Sequence, residues 1–289
     1  MNPINYNLGG NLPIQRLGFG AMRLCGQPGN FGPYPDWEAG KKLIRRAIDL
    51  GINFIDTAHA YGPGWNETLI GEALADITEH VVVATKGGVE KTAPDRVFPD
   101  ARPSQLRLRC EESLQRLRLE RIHLYQLHRP DPQVPLVESI GALALLRAEG
   151  KIQHIGLSNV TLSQIEEALQ IVPIASVQNR FNIAEQTDSA VLDFCLSHGV
   201  AYLPWGPLAA KPFSAEAPLA RDERLAEIAQ AHSSTESQIA LAWLLQRAPH
   251  IVLIPGTTSI SHLEENAQSL KIQLLADEVA VLNTLFRNV

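Results

Sequence analysis

Four ionisable side chains stand at or just after the ends of short apolar segments that are typical of β-strands. They are Asp56, Tyr61, Lys86 and His128. A tyrosine beside a Gly-Pro turn commonly packs a loop, and a lone histidine is commonly structural. Lys86 is harder to explain in that way because the chain has only seven lysines and this one ends an apolar strand, where a charge is costly. Four such groups at three adjacent strand ends indicate a reaction site.

The combination suits proton donation to a carbonyl oxygen. A phenol with a reference pKa of about 10 donates a proton to that oxygen as hydride arrives, and a nearby ammonium stabilises the phenolate that remains. Tyr61 is then the acid and Lys86 supplies the positive charge. Asp56 keeps the lysine charged and oriented, and His128 hydrogen-bonds the substrate oxygen.

Alternating strand and helix patterns must position these groups, as in repeated βα units around a parallel sheet. The predicted strands are Gln15–Gly20, Asn53–Asp56, Val81–Lys86, Ile122–His128, Ile152–Ser158, Ala175–Asn179, Ala201–Trp205 and Ile251–Pro255. The predicted helices are Trp37–Leu50, Glu67–Ala75, Ser104–Leu117, Leu136–Glu149, Leu162–Ile171, Asp188–His198, a pair within Asp222–Arg247, and Ser261–Leu270.

Eight units without a linker or a shift in composition favour an α/β protein of the closed (β/α)8 TIM-barrel class, formed by residues 1–289 as one domain. A doubly wound dinucleotide-binding sheet is disfavoured because Gly18–Arg23 lacks the third glycine of that motif. Residues 4–14 predict a small hairpin that plugs the bottom of the barrel, and Asp277–Phe286 predicts an extra C-terminal helix. Active sites of such barrels lie at the carboxyl ends of the strands, where the four ionisable groups stand.

Helix ends carry recognisable signals. Capping boxes are predicted at Thr161 with Gln164, Thr235 with Gln238, and Ser261 with Glu264. Three glycines just before strands predict left-handed C-caps. These are Gly51, Gly150 and Gly199.

Composition narrows the class of partner. The chain is 45% hydrophobic and 19% charged, which excludes a disordered or fibrous protein, and its net charge of -6 offers no attraction to nucleic acid or anionic lipid. The three cysteines have neither the number nor the spacing of a disulfide framework or zinc site. No signal sequence or membrane span is recognised, so we expect a cytoplasmic protein. Its expected partner is a small molecule, and a monomer is the favoured oligomeric state.

Four motifs resemble those of one enzyme family, the aldo-keto reductases, and the resemblance extends over essentially the whole chain. They are Gly51–Gly62 (GINFIDTAHAYG), Gly150–Asn159 (GKIQHIGLSN), Val177–Asn182 (VQNRFN) and Ile254–Thr258 (IPGTT). The resemblance implies a TIM-barrel carbonyl reductase that uses NADPH. It also places the family's catalytic tetrad on the same four residues, Asp56, Tyr61, Lys86 and His128.

The resemblance further implies which residues hold the cofactor. Ser158, Asn159 and Gln178 would bind the nicotinamide carboxamide, and Trp205 stands where the family usually has a stacking tyrosine. The remaining expected contacts are Gly206, Leu208, Gly256, Thr257, Thr258, His262, Glu265 and Asn266.

The adenosine end departs from the family pattern. Many members have lysine at the position of Gly256 and arginine near that of His262. We therefore expect only a modest preference for NADPH, with NADH also possible. A Gly256→Lys change should widen that preference if the loop backbone accepts a side chain.

Within the family the chain is most similar to a bacterial branch that includes pyridoxal reductases. The resemblance rests on His154–Val160, Ala240–Arg247 and Leu253–Thr258. The expected substrate walls are Met22–Tyr34, Arg129–Val134 and Leu208–Pro218, with aromatic faces from Phe31, Tyr34, Trp65 and Phe213. Short loops with few fixed charges favour an aromatic aldehyde, with pyridoxal as a specific candidate.

Two other functions remain open from the sequence. A metal-dependent hydrolase on the same barrel would use Asp56, His59 and His128 as ligands, although the chain lacks a His-x-His pair on its first strand and Lys86 would repel the ion. A cofactor-binding regulatory subunit with slow turnover would share the fold and the tetrad.

Overall fold

The computed structural model describes residues 3–77, 81–208 and 222–285. The strands in these ranges are β1 Asn5–Leu8, β2 Leu12–Gln15, β3 Phe19–Gly20, β4 Phe54–Asp56, β5 Val82–Gly87, β6 Val89–Ala93, β7 Arg96–Pro99, β8 Ile122–Leu127, β9 Ile152–Ser158, β10 Ser176–Gln178 and β11 Ala201–Tyr202. The helices are α1 Trp37–Asp49, α2 Trp65–Ala73, α3 Pro103–Leu117, α4 Leu136–Ala148, α5 Leu162–Leu169, α6 Ser189–Ser197, α7 Glu223–Ala231, α8 Glu236–Arg247, α9 Ile260–Gln268 and α10 Ala276–Thr284.

Seven strands form one parallel sheet in the order β3, β4, β5, β8, β9, β10, β11. Residues 251–254 close it into a barrel, because Ile251 pairs with Tyr202 at one edge and Leu253 pairs with Leu17 at the other. The predicted (β/α)8 barrel is therefore confirmed.

The predicted eighth strand forms isolated bridges instead of a continuous ladder, and its last residue supplies the reason. The Leu253 N–H donates to Arg16 O at 2.8 Å, and Gly18 and Gly20 donate to Leu253 O at 2.7 Å and Pro255 O at 3.2 Å. The parallel pattern next requires an N–H from residue 255, which proline lacks. The pairing is interrupted there while the barrel still closes.

Some predicted boundaries were wrong. The predicted strand Gln15–Gly20 is split between β2 and β3, and only the first two residues of Ala201–Trp205 form a regular strand. A second hairpin, β6–β7, was not predicted and follows β5 directly. Its alternation is short and mostly polar, so it carries little hydrophobic signal.

The buried apolar side chains form two clusters, one inside the barrel and one between the barrel and its helices. The inner cluster contains alternate strand residues such as Phe54, Ala84 and Leu124, together with Leu8 and Ile14 from the β1–β2 hairpin. The hairpin thus plugs the bottom of the barrel as predicted. The larger outer cluster packs the helices against the other face of the same strands.

Helix termini follow the predicted signals with one exception. Thr161 and Thr235 each form a complete capping box. The box at Ser261 was wrong, because Ser259 is the N-cap of α9 and its hydroxyl accepts a hydrogen bond from the His262 N–H. The three predicted C-cap glycines all have positive φ, between 66° and 83°.

Arg16 is buried at the bottom of the barrel, at the end opposite the predicted site. Its guanidinium donates to the carbonyl oxygens of Ile251 and Ala248 at 2.9 and 2.5 Å, and also to those of Pro3 and Leu245. Burial lowers the pKa of Arg16 to about 10, so the group remains charged at neutral pH. It ties the segment between β2 and β3 to the end of α8.

No helix in the described ranges has both the length and the apolar character needed to cross a bilayer.

Candidate active site

The segment after β4 carries Tyr61 and is held by hydrogen bonds along its length. The Thr57 and His59 N–H groups donate to Ala84 O at 2.8 Å and Lys86 O at 3.1 Å, so the chain continues beside β5 past the end of β4. The Thr57 hydroxyl donates to Asn66 Oδ1 at 2.6 Å, near the start of α2. These bonds fix the path of the loop on both sides of Tyr61.

Lys86 lies at the centre of the predicted tetrad and is fully buried. Its Nζ donates to Asp56 Oδ2 at 2.6 Å, to the Thr57 carbonyl at 2.9 Å and to the Tyr61 hydroxyl at 3.4 Å. The ammonium also lies 5.1 Å from the centre of the Tyr61 ring. The structure therefore brings the predicted acid, its cation and its carboxylate into one connected group.

His128 follows β8 and faces Tyr61 across the barrel mouth. The two rings are 5.9 Å apart at 86°. The backbone N–H of His128 donates to Gly87 O at 2.8 Å, and the backbone carbonyl of His128 accepts from Asn159 Nδ2 at 3.0 Å. Within the described residues, the buried Nδ1 of His128 has no hydrogen-bond partner.

The ionisation of these groups follows from burial and from their neighbours. Burial raises the pKa of Tyr61, and Lys86 opposes that shift without cancelling it. Burial alone would lower the pKa of Lys86, but Asp56 and then Tyr61 outweigh it and the pKa is raised. Burial, reinforced by Lys86 and Arg129, holds the pKa of His128 well below its usual range. At neutral pH the site therefore has a protonated phenol, an ammonium and a neutral imidazole.

Two glutamines complete the surroundings of Asp56. Its Oδ1 accepts hydrogen bonds from Nε2 of Gln126 at 3.1 Å and from Nε2 of Gln178 at 2.9 Å. Gln178 was expected at the cofactor site, whereas Gln126 was missed. A signal for it existed, because Leu124, Gln126 and His128 alternate along β8 and a polar residue at an inward position of such a strand is unusual.

Ser158, Asn159 and Gln178 lie together at the ends of β9 and β10. Asn159 Nδ2 donates to Ser158 Oγ at 3.0 Å, and the Asn159 backbone N–H donates to Gln178 O at 3.1 Å. Asn159 has a φ of 56°, a left-handed conformation that asparagine tolerates better than most residues. No hydrogen bond among the described residues uses Asn159 Oδ1 or Gln178 Oε1.

Trp205, Gly206 and Leu208 follow β11. The guanidinium of Arg180 lies over the Trp205 ring, 5.1 Å from its centre, and the indole N–H is buried without a partner in the described part of the chain. Gly206 has a φ of 64°, and its carbonyl accepts from Asn182 Nδ2 at 3.0 Å. Leu208 is partly buried against the outer core.

The loop from residue 256 to 259 leads into the N-terminus of α9. Gly256, Thr258 and His262 are exposed, and Thr257 is buried with its hydroxyl accepting from the Ser259 N–H at 3.0 Å. A Cβ on Gly256 would lie 2.7 Å from the carbonyl oxygen of Gly20. The Gly256→Lys change was expected to widen the NADPH preference only if the loop accepts a side chain at residue 256. It does not, because the side chain would collide with the backbone of Gly20.

Glu265 and Asn266 lie one helical turn further along α9. The Glu265 carboxylate accepts a hydrogen bond from the Thr235 hydroxyl at 2.7 Å, and Asn266 is buried. This bond uses Oε1 of Glu265, and no hydrogen bond among the described residues uses Oε2.

The expected substrate walls are partly described. Phe31 and Tyr34 are half-buried in the loop after β3. Trp65 is 48% exposed and packs edge-on against Trp37 at 6.2 Å. Residues 209–218 of the third wall, including Phe213, lie outside the described residues.

The ligand set of the alternative hydrolase does not come together. His59 Nδ1 lies 3.0 Å from Arg116 Nη2, and its Nε2 lies 3.8 Å from Glu90. Across the parts of the chain that the structure describes, no three His, Cys, Asp or Glu side chains are grouped to hold a metal ion. The Asp56 carboxylate is occupied by Lys86.

Comparison with known proteins assigns this arrangement to a family. The chain is 40% identical over 274 residues to an uncharacterised oxidoreductase of Schizosaccharomyces pombe, covering 95% of this chain and 87% of that protein. It is 36% identical over 285 residues to pyridoxine 4-dehydrogenase of Escherichia coli, covering 96% of this chain and 97% of that protein. An aldo/keto reductase crystal structure from Klebsiella pneumoniae, in complex with NADP and acetate, superposes with a TM-score of 0.83 at 28% identity and covers 98% of this chain and 95% of that one. The model of the aldo/keto reductase family matches residues 16–286, and the chain belongs to this family of oxidoreductases.

Proposed function

We propose that this protein reduces an aldehyde or ketone to an alcohol with NADPH, and that Tyr61 is the proton donor. The observation that carries the proposal is the Tyr61 hydroxyl at the barrel mouth, 3.4 Å from a lysine that is itself paired with Asp56. NADPH supplies the hydride that the carbonyl carbon receives. We take residues 1–289 as one domain, in keeping with the family match to residues 16–286.

The side chains near β9 and β10 have the donor and acceptor pattern that a nicotinamide carboxamide requires. A carboxamide offers two N–H donors and one carbonyl acceptor. Asn159 Oδ1 and Gln178 Oε1 are acceptors that no described residue uses, and the Ser158 hydroxyl accepts from Asn159 and so keeps its own hydrogen to donate. These three residues would therefore hold the amide in one orientation. Trp205, whose ring is covered on one side by Arg180, would offer its other face for stacking.

The protonation states support the proton transfer. Tyr61 keeps its proton at neutral pH because burial raises the pKa of its phenol, so it is ready to donate. When the proton leaves, the Lys86 ammonium stabilises the phenolate. His128 is neutral and donates an N–H to the substrate oxygen without adding a positive charge that would compete with Lys86.

The substrate class is proposed from the mouth of the barrel and from one relative. Phe31 is half-buried and follows Asn30, whose carbonyl accepts a hydrogen bond from the Gly62 N–H at 3.1 Å, so the loop that carries this ring lies beside the Tyr61 segment, whereas Tyr34 packs against the outer cluster. A relative with 36% identity is named for a pyridoxine dehydrogenase activity. We propose aromatic aldehydes as substrates, with pyridoxal as the first candidate.

The test is NADPH oxidation by the purified protein against a panel of carbonyl compounds. We expect pyridoxal and benzaldehyde-type compounds to be reduced faster than small dicarbonyls or sugar aldehydes, because a flat ring can stack on an aromatic side chain carried by the loop beside Tyr61. The reverse order would reject the aromatic substrate class and keep the reductase. Tight NADPH binding without turnover of any carbonyl would favour the regulatory subunit instead.

The preference for NADPH over NADH should be modest, about tenfold or roughly 1.4 kcal/mol in binding free energy. The loop at residues 256–259 provides hydroxyls and helix N–H groups for the 2′-phosphate of NADPH, but Gly256 and His262 supply no fixed cation. Dissociation constants from quenching of tryptophan fluorescence measure this directly. His262→Arg should widen the preference, because residue 262 is exposed in the first turn of α9 and accepts a long side chain. Equal or tighter binding of NADH by the unmodified protein contradicts the assignment.

A further inference from the structure

Asp56 is hydrogen-bonded through both of its carboxylate oxygens. Oδ2 faces Lys86 at 2.6 Å, and Oδ1 accepts from Gln126 and Gln178. The proposed function gives Gln178 a second task at the carboxamide. Gln126 is completely buried, and its Oε1 faces Gln178 Nε2 at 3.5 Å. The bond to Asp56 is the only role that we propose for its side-chain N–H, whereas Gln178 serves both Asp56, through Nε2, and the carboxamide, through Oε1.

The barrel interior has a space that fits the Gln126 side chain. Gln126 pairs with Lys86 on one neighbouring strand and with Gly156 on the other. A Cβ on Gly156 would lie 2.8 Å from Gln126 Cγ and 2.3 Å from Ser176 Oγ. The glycine thus leaves the volume that the glutamine occupies. A polar side chain in this position is costly unless it is hydrogen-bonded, and its donor is directed at Asp56.

We infer that Gln126 is a positioning residue for the proposed reduction, which fixes the Asp56 carboxylate so that its Oδ2 faces Lys86. The inference rests on the proposed function. Gln126 acts through Asp56, and Asp56 acts through Lys86 on the Tyr61 phenol.

The hydrogen bond from Gln126 should influence how strongly Lys86 acts on Tyr61. A hydrogen bond to a carboxylate disperses part of its negative charge. Without it, Asp56 would neutralise more of the ammonium field that reaches the phenol. The ionisable groups that face Tyr61 are Lys86, Asp56, His128 and Cys25. Of these, Asp56 is the one whose side chain accepts a hydrogen bond from the Gln126 side chain in the described structure, so the effect should reach Tyr61 by this route.

The test is Gln126→Met, which keeps the length of the side chain and removes its donor. We expect kcat to fall about tenfold and the pH profile of alcohol oxidation, which requires the phenolate, to move to higher pH by about half a unit to one unit. The dissociation constant for NADPH, measured by fluorescence quenching, should stay within about twofold because the carboxamide contacts are intact.

Two further variants separate positioning from packing. Ser176→Ala removes a buried hydroxyl that has no described partner in the same layer of the barrel, and it should leave the pH profile unchanged. Gln126→Glu should regain activity toward low pH, where a protonated carboxyl donates to Asp56, and lose it toward high pH, where two carboxylates repel. A wild-type profile in Gln126→Met, or the same shift in Ser176→Ala, overturns the inference.

A failure of the proposed function has a different signature. If the unmodified protein binds NADPH but reduces no carbonyl, the reductase proposal fails. The inference is then decided by ultraviolet titration of the Tyr61 phenol. Its signal is the absorbance of the protein minus that of the same protein carrying Tyr61→Phe, measured once in the wild type and once in Gln126→Met. A phenol that titrates at higher pH in Gln126→Met supports the positioning role, and an unchanged titration rejects it.

Discussion

Tyr61→Phe should lower carbonyl reduction by at least about 100-fold while leaving NADPH binding within about twofold. The change removes only the phenolic oxygen, which lies 3.4 Å from Lys86 Nζ. This phenol is the neutral acid of the tetrad in the proposed reaction. The oxygen is needed when the alkoxide forms and contributes little to binding the cofactor. Initial rates with NADPH and a saturating aldehyde measure the first effect, and fluorescence quenching measures the second.

A matched control for this variant is Tyr125→Phe. Tyr125 is also a buried tyrosine, but it lies in the outer cluster and its hydroxyl donates to the Leu106 carbonyl at 3.3 Å. We expect it to retain wild-type turnover, with a loss of about 1 kcal/mol of stability from one neutral hydrogen bond. Near-normal turnover in Tyr61→Phe would remove this residue from the mechanism and would direct attention to His128 as the donor.

Arg16→Met should lower the free energy of unfolding by about 3 kcal/mol or more, because the carbonyl oxygens that the guanidinium now satisfies would be buried without donors. The bonds to Ile251 and Ala248 join the segment between β2 and β3 to the segment that closes the barrel. Their loss should weaken closure at the bottom of the barrel. Denaturant unfolding followed by circular dichroism measures the change.

Two controls isolate the hydrogen bonds of Arg16. Arg16→Lys keeps a charge but fewer donors and should lose an intermediate amount of stability. Arg121→Met alters an exposed arginine and should change stability by less than about 0.5 kcal/mol. Because Arg16 lies at the end of the barrel opposite Tyr61, kcat per folded molecule should be unchanged in Arg16→Met. A stability equal to that of Arg121→Met would show that the buried guanidinium contributes little.

The fold was accessible from the sequence because its units repeat. Several strands end where an apolar run gives way to polar residues, and several helices begin at a hydroxyl cap or end before a glycine, as at Thr161 and Gly150. The errors fall where local pattern competes with another constraint. Ser261 and Ser259 both have the residue type of a cap, and only the path of the backbone selects Ser259. The pairing of residues 251–255 depends on strands far away in sequence and on a missing proline N–H.

The sequence by itself determined the barrel and the four candidate side chains of the site, because strand ends converge in a parallel barrel whatever lies between them. Tertiary structure alone decided how those side chains divide their hydrogen bonds. Asp56 is shared between Lys86 and two glutamines from separate strands, and Gln126 owes its space to Gly156 on a third. Such contacts join residues 30 to 122 positions apart, so no local pattern encodes them. The collision that closes Gly256 to a side chain is of the same kind, because it comes from the carbonyl of Gly20 across the barrel seam.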